Sequence, residues 1–230
     1  MNPAQLIDWP SIAIVVGGTL AATLLRCGLG DTAQMLRALG QLLSRRFDAP
    51  GVKAQLAAQI QEIEAQGLLR AEPRPMRDGE FGGLADTIIA RRSAQALYDQ
   101  HAAFRARRMA LAETGAGVLS SAAELAPVLG LAGTLLSLGS LTTTVQAEGN
   151  YAAAIGMAVS TTLYGLVIAN FLFAPLAAAV QRRFGAEDRA RAELLDWLAA
   201  SVERAKAPRA APGAGLSRRT TGPDASRNAA

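Results

Sequence analysis

All 23 lysines and arginines of this 230-residue chain fall in two blocks, 13 from Arg26 to Arg108 and 10 from Arg182 to Arg227. Outside those blocks run three uncharged stretches, Trp9–Leu25, Leu125–Ala147 and Gly149–Gln181. A bilayer core of about 30 Å takes about 20 apolar residues at 1.5 Å rise each, so the second and third stretches are long enough to cross it. The first, with 17 residues, is short. Half of the chain is hydrophobic and only 18% is charged, which argues against an ordinary soluble domain. The pattern predicts an all-α polytopic membrane protein with three transmembrane helices.

The net charge of +4 follows from topology and does not point to nucleic acid, because the basic residues flank the spans on one side, as the positive-inside rule requires. Residues 1–25 and the turn Gln146–Asn150 carry no lysine or arginine. The N-terminus is therefore expected outside and both polar segments in the cytoplasm. Single copies of cysteine (Cys27) and histidine (His101) exclude a disulfide framework, a Cys/His zinc site and a His-based metal cluster within one chain. No constellation for catalysis is present, and no cofactor or metal is expected. The start carries Asp8 and no basic region, so it does not read as a cleavable signal peptide.

The expected organisation is a first transmembrane helix within residues 1–28, a cytoplasmic helical segment over 29–113, a second span at 114–146, a short periplasmic turn at 147–151 and a third span at 152–181. A cytoplasmic helix follows at 182–206, and 207–230, rich in Pro, Gly, Ser, Arg and Ala, reads as a disordered tail. Asp31–Glu72 is helical and amphipathic, with a break predicted at Asp48-Ala49-Pro50-Gly51. From Leu84 to Gly115 no proline or internal glycine interrupts the pattern, which predicts a long helix feeding into the second span.

Within the second span, Ala126, Gly130, Gly133, Ser137 and Ser140 recur at spacings of four and three and share one helix face. Val128, Leu131, Leu135 and Leu138 form another. The third span offers Ala158, Thr161, Gly165 and Ala169, and the first Gly17, Gly18, Ala21 and Ala22. Small faces let membrane helices approach closely, and tight packing is the plainer reading of most of these residues. Three spans make a poor closed bundle, so oligomerisation is expected. Thr134, Thr161 and Thr162 sit mid-span, where each hydroxyl either bonds back to its own helix or reaches across an interface. No ionisable residue lies deep within a span. An ion relay would need a carboxylate from another chain.

These residues match a pattern. Asp8-Trp9-Pro10-Ser11 through Ile14 to Ala22 resembles the second transmembrane helix of the flagellar stator subunits of the MotA kind. Ala126-Pro127, Gly130 and Gly133-Thr134 resemble their third helix. Met157-Ala158-Val159 with Thr161 to Gly165, Ala169-Asn170 and Pro175-Leu176 resembles their fourth. The chain is identified as a member of the MotA/TolQ/ExbB proton-channel superfamily. The resemblance implies a homo-oligomeric ring, expected as a pentamer, around a single-span partner of the MotB kind, or of the ExbD or TolR kind, whose membrane aspartate relays the proton. It implies an ion pathway along Thr134, Thr161 and Thr162, and pore helices shaped by Pro127, Pro175, Gly130, Gly133 and Gly165. A simple helix start or end explains Pro127 equally well.

Two departures matter. The family's stator members have four spans, and this chain begins at what would be the second, the three-span layout of the TolQ and ExbB branch. That branch carries a glutamate at the position of Met157. In the cytoplasmic segment, alignment on Gly67 puts Glu72 at an acidic rotor-contact position but Glu64 at the basic one, with Arg70 or Arg74 as substitutes. The resemblance implies a flagellar rotor protein as a further partner, while a solvated helix face is an equal reading of Glu64, Arg70 and Glu72. The expected function is a stator subunit coupling ion flux across the bacterial inner membrane to motion. The alternatives are an energiser of outer-membrane transport and a non-conducting scaffold.

Overall fold

A computed structural model describes residues 8–66, 76, 78–84, 94–143 and 151–206. Among the described residues the long helices are α1 (Trp9–Leu43), α2 (Ala49–Gln66), α3 (Ala94–Thr143), α4 (Tyr151–Val167) and α5 (Ala174–Lys206), with a π-helical turn, Ile168–Phe173, joining the last two. Residues 79–84 add a single short helix. Among the described residues three helical stretches are long and apolar enough to cross a membrane: Trp9–Leu43, Gln95–Gly139 and Ala154–Ser201.

At 1.5 Å per residue the 50 residues of α3 extend about 75 Å, more than twice a bilayer core. Each long helix therefore has an apolar end and a charged end. The chain runs antiparallel between neighbours. Gly18 meets Leu129 and Gly115 meets Ala38 between α1 and α3, while Ser137 bonds to Ala154 between α3 and α4. At the boundary between apolar and charged halves, Arg26 pairs with Glu124 at 3.2 Å.

Inside α1 the helix breaks at Gly28, whose φ of 82° and ψ of 166° suit a residue without a Cβ. The Thr32 hydroxyl donates to the Gly28 carbonyl at 2.8 Å and takes up one backbone acceptor freed there. Beyond the break, Ala38 packs with Ala112, Ala116, Leu119, Val180 and Phe184 in one core cluster. A second cluster, at the charged end, gathers Val52, Leu56, Phe81, Leu84, Leu97 and Leu198 from four segments.

The interruption between α1 and α2 falls at residues 44–48, ahead of the predicted Asp48–Gly51. Pro50 stands instead in the first turn of α2, where its missing N–H has no helical partner to lose. Asp48 closes that turn, accepting from the Gly51 N–H at 3.0 Å.

A buried ionic network ties the charged end together. Glu80 lies against His101, whose Nδ1 is 2.7 Å from Oε1, and its other oxygen accepts from Arg108 and, at 2.9 Å, from Arg191. Arg191 also reaches Asp78 at 2.8 Å and Glu187 at 2.9 Å. Its guanidinium stacks 4.1 Å over the Phe47 ring. Burial pushes the Asp78 carboxyl up, but the Arg191 bond and charge and the Phe81 and Glu80 N–H groups outweigh it, and the net direction is down. Burial pushes Arg191 down, and the same carboxylates carry it above its ordinary value.

Candidate functional site

α3 and α4 touch backbone to backbone. A methyl group on Gly130 would stand 2.8 Å from the Thr161 carbonyl oxygen, and one on Gly165 would stand 2.6 Å from the Ala126 carbonyl oxygen. A methyl on Gly133 would sit 3.0 Å from the Thr161 Cβ. Between helices of these directions, such distances leave space only for glycine. The small face of α3 is buried accordingly, with Ala126, Gly130, Gly133 and Ser137 inside. On the opposite side Val128, Leu131, Leu135 and Leu138 are exposed. The small face thus packs against the chain's own fourth helix, and the apolar face is the one left without a neighbour in a single chain.

Thr161 is fully buried in this contact. Its hydroxyl donates to the Ala158 carbonyl at 2.9 Å. Thr162 points a 3.4 Å bond at the same carbonyl, and Thr134 donates to Leu131 at 2.6 Å. All three hydroxyls bond back to their own helix, and no hydrogen bond joins Thr134 to Thr161 or Thr162. Gly133, one residue earlier, is what faces Thr161. Thr134 and Thr162 are half-buried, so their oxygen lone pairs remain open to a donor arriving from outside the helix pair. Between α3 and α4 the Ser137 hydroxyl does cross, donating to the Ala154 carbonyl at 2.7 Å.

The two prolines differ. Pro127 lies inside α3. Pro175 follows the π-turn Ile168–Phe173, at whose end the Ala174 N–H bonds to the Ala169 carbonyl, five residues back. A proline ring crowds the carbonyl four residues before it, and a widened turn there relieves that crowding without breaking the helix. The Asn170 amide donates to the Leu166 carbonyl at 2.9 Å in the same stretch.

A hydroxyl stripe on α1 completes the site and was not singled out from the sequence. Ser11, Val15, Thr19 and Thr23, spaced by four, are all buried. Thr19 donates to the Val15 carbonyl at 2.6 Å, Ser11 to the Asp8 carboxylate, and the Asp8 N–H to the Tyr164 hydroxyl at 3.1 Å. The Thr23 oxygen is buried with no hydrogen-bond partner. The recurrence of hydroxyl residues at 11, 19 and 23 on one helix face of an apolar run is the signal that would have found this stripe. Arg70 and Glu72, the expected rotor contacts, and Arg74 lie outside the described residues, as does the side chain of Glu64.

Residues 83–193 match the MotA/TolQ/ExbB proton channel family. Chemotaxis protein PomA of Vibrio alginolyticus is 24% identical over 201 residues, covering 85% of this chain and 78% of its own length. Motility protein A of Cereibacter sphaeroides is 27% identical over 181 residues, 75% of this chain and 69% of that protein. Among solved structures, C. jejuni MotAB superposes with a TM-score of 0.78 at 16% identity, covering 88% of this chain and 81% of that one. The flagellar MotAB stator complex from Bacillus subtilis gives 0.76 at 19% identity, covering 86% and 79%. At these identities the two structures share the fold.

Proposed function

We propose, from the match of residues 83–193 to the MotA/TolQ/ExbB proton channel family, that this chain is a stator subunit of an ion-driven motor in the bacterial inner membrane. Copies of it form a ring, a pentamer, around a single-span partner of the MotB kind. The partner brings the aspartate that the spans here lack, and the N-terminus lies in the periplasm with the C-terminus in the cytoplasm.

One observation carries the reading. α3 and α4 are locked by Gly130, Gly133 and Gly165 around the buried Thr161, while no charged residue interrupts Leu125–Ala147 or Gly149–Gln181. A helix pair joined through its backbones moves as one body. Thr134 and Thr162 offer lone pairs to the partner's carboxyl when it is protonated, and loss of that proton withdraws the donor. The pair then repacks against the partner, and Pro127 and the widened turn before Pro175 are the points at which the long helices yield. Arg70 and Glu72 are the proposed contacts with the rotor protein, through which this movement becomes rotation. The names and structures of the relatives, motility proteins and MotAB stators, support this reading over a non-conducting scaffold.

The test is purification under mild conditions from native membranes, with identification of the single-span protein that accompanies the chain. A partner with a membrane aspartate and a peptidoglycan-binding domain is the expected result. A short partner without that domain would make the complex a transport energiser of the ExbB and TolQ kind, and recovery of the chain alone after crosslinking would overturn both.

A further inference from the structure

The charged end of the molecule holds a cavity of about 770 Å³ between the end of α1, the 44–48 connection, the first turns of α2, and the facing sides of α3 and α5. Five arginines line it against three carboxylates. The carboxylates are already engaged, Asp78 and Glu187 by Arg191 and Asp48 by the Gly51 N–H. Arg108 and Arg191 are held in turn by Glu80 and its neighbours. Arg45, Arg46 and Arg183 are left with no carboxylate in reach among the described residues. Arg183 spends one nitrogen on the Arg45 carbonyl at 3.0 Å.

At the wall of the same cavity, the Gln55 side-chain oxygen is buried without a hydrogen-bond partner. An amide end group can be turned to present either its oxygen or its NH2, so this position serves a ligand as acceptor or donor.

We propose that this cavity binds a soluble phosphorylated small molecule. Three arginines with no carboxylate in reach among the described residues present what a phosphate group satisfies, the Gln55 end group can turn its NH2 toward it, and guanidinium forks match phosphate oxygens two at a time. The volume lies within the range of about 300–1,000 Å³ typical of small-molecule sites. A membrane phospholipid carries the same headgroup chemistry, since Arg183 stands two residues past the uncharged run Gly149–Gln181, and the lipid arm of the experiment separates the two sources. Bound phosphate would tie the α1–α2 connection, through Arg45 and Arg46, to α5, through Arg183.

The experiment uses the full chain in nanodiscs of neutral phosphatidylcholine and follows pyrophosphate binding by calorimetry. The double variant Arg46→Gln, Arg183→Gln is compared with Arg37→Gln, which removes one positive charge outside the cavity, and circular dichroism checks that each keeps its helix content. Saturable binding is expected in the parent and in Arg37→Gln, weakened about tenfold or more in the double variant, as the loss of charge-assisted bonds requires. Equal weakening in Arg37→Gln, no saturable binding in the folded parent, or binding that disappears when phosphatidylglycerol is included in the nanodisc would each overturn it, the last by assigning the arginines to lipid.

Discussion

Gly130 and Gly165 face each other across α3 and α4 with no side chain between them. A methyl on Gly165 would lie 3.2 Å from the Gly130 Cα and still closer to the Ala126 carbonyl. Replacing Gly165 by alanine must therefore push two backbones apart. A loss of about 1–3 kcal/mol is expected, the usual cost of overpacking. Gly117, also in α3, has open space around it, so Gly117→Ala should gain about 0.5–1 kcal/mol from helix propensity alone. Thermal unfolding of the two variants in the same detergent measures both, and the prediction is their opposite sign.

Thr23→Val bears on the α1 stripe. Its hydroxyl is buried without a partner, so an isosteric apolar side chain removes a desolvation cost and should raise stability by about 1 kcal/mol. Thr19→Val, by contrast, deletes a bond at 2.6 Å whose acceptor stays satisfied within the helix, and should change stability little. A chaotrope or heat series on both variants separates them.

The acid limb of the stability curve should depend on Asp78. Its folded carboxyl is held below its ordinary value by Arg191 and two backbone N–H groups, against burial. An unfolded aspartate titrates near 3.9. A depressed group contributes stability that is fully present above the unfolded value and is lost as pH falls through the folded one. Unfolding of the charged end should therefore begin below about pH 4, and Asp78→Asn should lower stability at neutral pH while flattening that acid limb. Arg191 is shifted upward, so its contribution is complete below the ordinary arginine value and does not titrate in the working range. A pH series of melting temperatures checks this. An acid limb equally steep in the variant would contradict it.

Much of this was readable from residues alone where the physics is local. Uncharged runs mark the spans because charge is costly in lipid, and the spacing of Ala126, Gly130, Gly133 and Ser137 sets out the buried face of α3 because helix geometry is periodic. The reading erred where a local signal had two solutions. Pro50-Gly51 suggested a break, yet proline fits a first helical turn, and the break lies just before it. Thr134 and Thr161 share a depth and had two readings open to them; the structure shows back-bonding, with Gly133 turned toward Thr161. Long-range pairing was invisible in principle. Asp78 and Arg191 are 113 residues apart, and nothing in either segment names the other. The π-turn before Pro175 was half legible, since the proline announced a distortion but not which form it would take.

The central claim is that Thr134 and Thr162 serve an ion that a partner's carboxyl carries past α3 and α4. The most direct measurement is ion flux into vesicles holding this chain together with its single-span partner, followed with a pH-sensitive dye and in parallel with a sodium-sensitive one. Thr162→Val keeps the shape and removes the hydroxyl, whose own bond to Ala158 is long at 3.4 Å. The account predicts flux of one ion in the parent and a loss of about tenfold or more in Thr162→Val with assembly unchanged. Undiminished flux in Thr162→Val and in Thr134→Val would contradict it.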